Sequence, residues 1–473
     1  MNLQTNPILE STSYDRADCK IGIVHLGFGA FHRAHQAVYI DDCIEQTGDA
    51  NWGIAAVNLR SAESDVFHAS ANMENGYLLK TTSPSSQIRY QLIRPHLAFE
   101  DWAKNPVAAE ALLGLESVHA VTITVTESGY YVNDDWTLNT TEPAIVAEVE
   151  GKSPSTVYGY LANALAHRVQ RDGGPITIMC CDNIRGNGKM LQQNFLAYLR
   201  LRGLPDLEQW VRDNATFPCS MVDRITPRST NLLVEEIRQM FPNRHLAPIH
   251  GESFIQWVLE DNFAGPMPDL ARAGVQIVKD VDPYEEAKIR ILNGGHTGLC
   301  YLGALAGHQT FDEAMRDPRI RPHFDGWEEQ NVLPGLTIEL PFDRVEYLRE
   351  VAERFSNRAI ADNLERICMD GWSKFPIFIR PSLAGCLAQG IAPTFGYDVV
   401  ASWYVYARRH AKEIMHIPYI DPYWENLEPF LTPGREADFA QIQQLWADLP
   451  STYQDFVPGI VSAIERMEEK WPA

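Results

Sequence analysis

The sequence predicts an α/β chain in two parts, a doubly wound N-terminal domain over 1–281 and a mostly α-helical C-terminal domain over 282–473. Three observations predict it. From Ile21 to Val278, short apolar runs rich in Ile, Val and Thr alternate with longer amphipathic stretches, the pattern of buried parallel strands joined by helices. The first run ends in a glycine turn that opens a helix, which makes the domain Rossmann-like. Beyond Asp282 strand-like runs become rare and helical periodicity continues to Ala473, with breaks expected at Pro318, Pro334, Pro341, Pro376 and Pro393. A chain of 473 residues also exceeds what one core usually holds.

The strands expected are IGIVHL from Ile21, WGIAAVNL from Trp52, HAVTITVT from His119 and ITIMCCDN from Ile176. Between the domains, Pro283 falls in the first turn of a helix, where its missing N–H costs nothing.

Composition narrows the function. The formal charge is −22, spread along the chain, so nucleic acid and anionic membranes are poor partners. Met1 to Lys20 is polar and unlike a secretory signal, and no run of 18 apolar residues occurs. Eight scattered cysteines without CxxC spacing read as reduced, buried thiols. These features lead us to expect a cytoplasmic protein whose cysteines form no metal site, and with no exposed apolar stripe standing out we expect a monomer or weak dimer.

The turn Gly27-Phe28-Gly29, continued by Ala30 and Phe31, suits a pyrophosphate: glycines let backbone N–H groups approach it at a helix N-terminus. The third glycine position holds His32, so the helix either stands off from the strand or uses the imidazole for something else. A plain strand-to-helix turn is the alternative. After the second strand, a carboxylate favours NAD and an arginine favours NADP. Asn58, Arg60 and Glu63 give a mixed signal there; we expect NAD, with Glu63 on the ribose.

The head of the second domain concentrates polar groups. On an ideal helix with Lys288 at zero, Glu285 falls near about 60°, His296 near about 80° and Asn293 near about 140°, over about 12 Å of rise. An enclosed lysine is a general base only if its pKa drops from about 10.4 to about 7–8, and desolvation acts in that direction. Asparagine amides supply neutral donors to a developing alkoxide, which suits Asn293 and also Asn183 in CDNIRGNG. A buried ion-pair set with a core histidine accounts for the same spacing.

Seven stretches carry a resemblance over the whole length: GFGAFHRAHQA, TVTESGYY, CDNIRGNG, FPCSMVDRITP, GESFIQWVLEDNF, PYEEAKIRILNGGH and DGWSKFP. The chain resembles the polyol-specific long-chain dehydrogenases, the mannitol dehydrogenase family, and is most similar to its D-arabinitol 4-dehydrogenases. The resemblance implies a metal-independent, NAD-linked oxidation of a sugar alcohol to its ketose. It implies Lys288 as general base, Asn183 and Asn293 as oxyanion donors, His296 as the group orienting a substrate hydroxyl and Glu285 as a proton relay. Thr126 and Glu127 join the expected cofactor contacts, and Lys374 and Arg380 the substrate contacts. Mannitol 2-dehydrogenase and fructuronate reductase are the alternatives within the family; the latter needs a cation such as Lys374, Arg380 or Arg33 for its carboxylate. Outside it stand a nucleotide-sensing binding protein and a zinc-dependent dehydrogenase.

Overall fold

A computed structural model describes residues 8–71, 75–133, 135–227, 229–242, 244 and 246–472. The chain divides into one unit of residues 1–82 and 88–282 and another of residues 83–87 and 283–473.

The first unit is built on β1 (Ile21–Leu26), β2 (Gly53–Asn58), β3 (His96–Asp101), β4 (Ala120–Ile123), β5 (Ile176–Cys180) and β6 (Ala215–Thr216). Among the described residues they form one sheet in the order β3-β2-β1-β4-β5-β6, all pairs parallel. This is the doubly wound order, whose switch point lies between β1 and β4. Alternation along each strand feeds two cores. Val24, Leu26, Val57, Val121 and Ile178 face Leu161, Leu165, Leu191 and Phe195. Ile23, Ile54, Ala120 and Met179 face Ala37, Ile40 and Ile44. Burial on both faces explains why these strands read as continuous apolar runs.

All four expected strands are present. The strand HLAFED of β3 was not expected, because only part of it is buried and it ends in two acids. Two smaller sheets also lie outside the expectation. One joins Leu9–Ser11, Ile88–Ile93, Tyr77–Thr82 and Pro248–Glu252; the other joins Ser220–Asp223, Gln256–Glu260 and Gln276–Val278. Helices α1 (Ala30–Ala34) and α2 (Gln36–Thr47) follow β1.

The second unit is helical. Its first run is continuous: α3 (Asp282–Ala287), a π-helical turn over Lys288–Asn293, then α4 (Gly294–Leu305). Two more π turns occur, Glu328–Val332 and Phe375–Ile379, and both pack against the first. Helix α5 (Thr394–Ala411) packs on α4 and on α6 (Phe456–Lys470). Pro393 caps α5. Pro376, by contrast, does not break the helix. It sits in the first positions of the third π turn, inside a helical run from Gly371 to Ala388. Widening to i→i+5 bonding accommodates a residue that has no N–H to give.

Candidate functional site

In the first unit, the glycine turn sits at the switch point. Gly27 has φ +108°, and a Cβ there would lie 2.5 Å from the Thr124 carbonyl, so the fold itself demands glycine. Gly29 is different. Its φ is −69° and nothing lies within 4 Å of an added Cβ. The protein gives no internal reason for glycine at 29, whereas a dinucleotide approaching the backbone would.

The ring of Phe28 is committed to the protein. It meets His96, Phe99, Phe67 and Tyr77 edge-on at 5.0–6.2 Å, with the Arg33 guanidinium 5.2 Å from its centroid. His32, at the missing third glycine, stacks on His25 of β1 at 3.3 Å, and its Nε2 lies 2.9 Å from Nε2 of His96. The imidazole therefore has a role of its own, joining the helix to β1 and β3. Burial pushes the pKa of His25 and His32 well down and that of His96 to about 3, so all three rings are neutral.

After β2, the Asn58 side chain is buried and engaged: its amide donates to Asp101 at 3.1 Å and to the Arg60 carbonyl at 2.9 Å. The exposed groups beyond it are Arg60 and Glu63, an ion pair at 3.5 Å. Arg60 also donates to the Val125 carbonyl at 3.1 Å.

The loop after β4 carries Thr126 and Glu127, both exposed. Thr126 has φ +67° and ψ 161°, a region that only glycine enters freely and that costs about 1–3 kcal/mol for other residues. Asp182, in the loop after β5, accepts from the backbone N–H of Val125 at 2.9 Å and of Thr126 at 3.2 Å, and from the Tyr130 hydroxyl at 2.7 Å. Burial raises the Asp182 carboxyl to about 6 against the pull of these donors. Asn183, the next residue, is exposed.

In the second unit, Glu285 is 5% exposed and Lys288 8%. The ideal-helix angles do not hold beyond Lys288, because the π turn begins there. The Gly294 N–H bonds back to Ile289, an i→i+5 contact. Such bonding stacks residue i over i+5, so Lys288 and Asn293, the two ends of the π turn, share a face more closely than the α-helical reading gave. Asn293 and His296 are half-buried.

His296 stacks on Phe355 at 4.6 Å and meets Phe311 edge-on at 4.3 Å. Its Nε2 is 3.8 Å from Asp362, which Arg366 also binds. Burial lowers its pKa to about 3, partly countered by Asp362. Asp362 and Arg366 were missed from sequence, where they look like an ordinary i, i+4 surface pair. Lys374 donates to the Ile367 carbonyl at 2.9 Å, and burial lowers its pKa against the nearby Cys300 thiol and Asp370. Arg380 is used differently, donating to the Gln444 and Leu445 carbonyls at 3.4 and 3.2 Å. A cleft of about 740 Å³ lined by Glu329, Leu333, Arg344 and Gln389, among others, contains none of the candidate residues.

Among the described residues, no group of three or more His, Cys, Asp or Glu is placed to hold a metal, and no helix is long and apolar enough to cross a membrane.

Two family models match: the mannitol dehydrogenase Rossmann domain over residues 21–272 and the mannitol dehydrogenase C-terminal domain over 280–468. D-arabinitol 4-dehydrogenase of Ralstonia nicotianae is 36% identical over 456 residues, covering 95% of this chain and 97% of that protein. The crystal structure of a substrate-free D-sorbitol dehydrogenase superposes with a TM-score of 0.89 at 29% identity, covering 99% of this chain and 97% of that one. The Pseudomonas fluorescens mannitol 2-dehydrogenase ternary complex with NAD and D-mannitol gives 0.85 at 30% identity, with the same coverage. With both halves matched and more than 90% of the chain aligned to a relative above 30% identity, this chain belongs to the mannitol dehydrogenase family.

Proposed function

We propose that the protein oxidises a secondary alcohol of a sugar alcohol to the ketose and catalyses the reverse, with NAD as cofactor and Lys288 as general base. The observation that carries the reading is the buried lysine at the start of a π turn, with a buried glutamate one helical turn before it and an asparagine at the turn's other end. An amine with so little exposure is in the setting that favours its neutral form. Lys288 takes the hydroxyl proton, and Glu285 passes it on. Asn183 and Asn293 donate N–H groups to the oxyanion without adding charge, and His296, a neutral imidazole, orients a neighbouring hydroxyl. The open backbone at Gly29 and the tight turn at Gly27 fit a dinucleotide pyrophosphate, and the nicotinamide, when bound, supplies the hydride acceptor.

D-arabinitol, giving D-xylulose, is the substrate we favour, because the D-arabinitol 4-dehydrogenase above is 36% identical to this chain against 30% for the mannitol 2-dehydrogenase. D-mannitol is the first alternative. D-mannonate is the second, and it draws on Lys374, whose ammonium lies in the electrostatic surroundings of His296. Initial rates with the three substrates and NAD, followed by NADH absorbance, rank them. A faster rate on D-mannitol or D-mannonate overturns the arabinitol assignment. Lys288→Ala lowers kcat by orders of magnitude while NADH binding persists; wild-type turnover in that variant removes Lys288 as the base.

A further inference from the structure

We propose that Asp182 is a positioning residue: it holds the loop after β4 in its strained shape and thereby sets the affinity for the nicotinamide cofactor. The proposal rests on the dehydrogenase reading above and concerns a group to which that reading gives no part.

The loop leaves the sheet beside the glycine turn, with Thr124 packed on Gly27 so closely that a Cβ at 27 would lie 2.5 Å from its carbonyl. Two side chains then hold opposite edges of its backbone. Arg60 takes the Val125 carbonyl at 3.1 Å. Asp182 takes the Val125 and Thr126 N–H groups at 2.9 and 3.2 Å. The loop is thus fixed between the residues expected at the adenosine ribose and the loop that carries Asn183.

The staple has strain to oppose. Thr126 is β-branched and sits at φ +67°, where a side chain beyond Cα is disfavoured. Released, it would return to negative φ and turn its N–H away from Asp182. The carboxylate is itself oriented by the buried Tyr130 hydroxyl at 2.7 Å, which receives the Cys180 thiol at 3.0 Å. Three donors converge on two oxygens, which suits an acid and not an amide. An asparagine offers one accepting oxygen and would turn an NH2 group toward an N–H.

The test is NADH affinity of the full-length protein, read by fluorescence without polyol, together with kcat and KM. Asp182→Asn weakens NADH binding about ten-fold and raises KM for NAD more than it lowers kcat. Measured against Thr126→Gly alone, Asp182→Asn in that background costs no more than about two-fold, because glycine takes this backbone shape without a staple. NADH affinity within two-fold of wild type in Asp182→Asn overturns the proposal. So does the full ten-fold loss when Asp182→Asn is added to Thr126→Gly, since Asp182 would then be supporting something other than the shape of Thr126. If Asp182→Asn fails to fold, Tyr130→Phe replaces it: a two- to three-fold weakening supports the proposal and none overturns it. A wild-type protein that binds no NADH overturns the dehydrogenase reading instead.

Discussion

At the scale of single residues, Glu328 is the group least suited to its surroundings. It is fully buried, neither carboxyl oxygen has a hydrogen-bond partner, and one of those oxygens lies beside Gly295, where the rings of Phe324 and Phe355 also pack. Burial raises its pKa well above the ordinary 4.5, only partly offset by Arg290. A buried, unpaired polar group costs about 1–3 kcal/mol, so Glu328→Met, of similar volume, raises the melting temperature. The gain has a pH signature. A carboxyl whose folded pKa is raised favours the fold at low pH and loses that contribution as pH rises past its unfolded value. The advantage of Glu328→Met therefore grows above pH 4.5, by up to about 1.36 kcal/mol per unit until the folded group ionises. A melting-temperature difference that is flat from pH 4.5 to 8 contradicts this. None of it was legible beforehand. Glu328 and Glu329 are adjacent and chemically identical, yet one is buried and the other exposed. Only the packing of distant aromatic rings separates them.

At the scale of elements, the glycine turn and the π turns show where sequence reasoning holds and where it fails. Two glycines spaced by one residue after an apolar run were enough to place the turn. They were not enough to show that one glycine answers to the fold and the other does not. Gly27→Ala collides with Thr124 at a positive φ and destabilises the protein as well as weakening NADH binding. Gly29→Ala melts within about 0.5 kcal/mol of wild type, since it meets no neighbour, but still binds NADH at least about ten-fold more weakly. Equal NADH affinity in Gly29→Ala and wild type removes the turn from the cofactor site. The π turn at Lys288 was invisible because local periodicity assumes i→i+4 bonding throughout. The residue types Glu285, Lys288, Asn293 and His296 were readable in order, while their angular relation was not. The two other π turns packed against this one mark the widening as a feature of tertiary packing, which a single segment does not encode.

At the scale of the whole molecule, neutral histidines govern the response to acid. Burial lowers the pKa of His25 and His32 well below 6.5, of His96 and His296 to about 3 and of His250 to about 4. Below pH 6.5 the unfolded chain binds protons at these positions that the folded chain refuses, so stability falls as pH falls. Asp41, raised to about 7, Asp182, raised to about 6, and Glu328 act in the opposite sense over the same range. With His119, His323 and His410 also lowered and Asp42 and Asp370 also raised, eight lowered histidines stand against five raised carboxyls, and the net effect is a loss of stability between pH 6 and 5. A melting temperature unchanged from pH 7 to 5 contradicts this balance. The order of the main sheet was readable from its apolar strands. The histidine contacts were not, since His25, His32 and His96 lie up to 71 positions apart and meet only once β2 has paired with both β1 and β3. Their meeting also creates an internal reporter. Two neutral imidazoles 2.9 Å apart through Nε2 must adopt complementary tautomers, one carrying hydrogen on Nε2 and the other on Nδ1. Nitrogen-15 resonances of the pair should hold steady across the buffer range in which enzymes are assayed. They should move when a molecule settles on the neighbouring glycine turn, which makes occupancy observable without following any reaction.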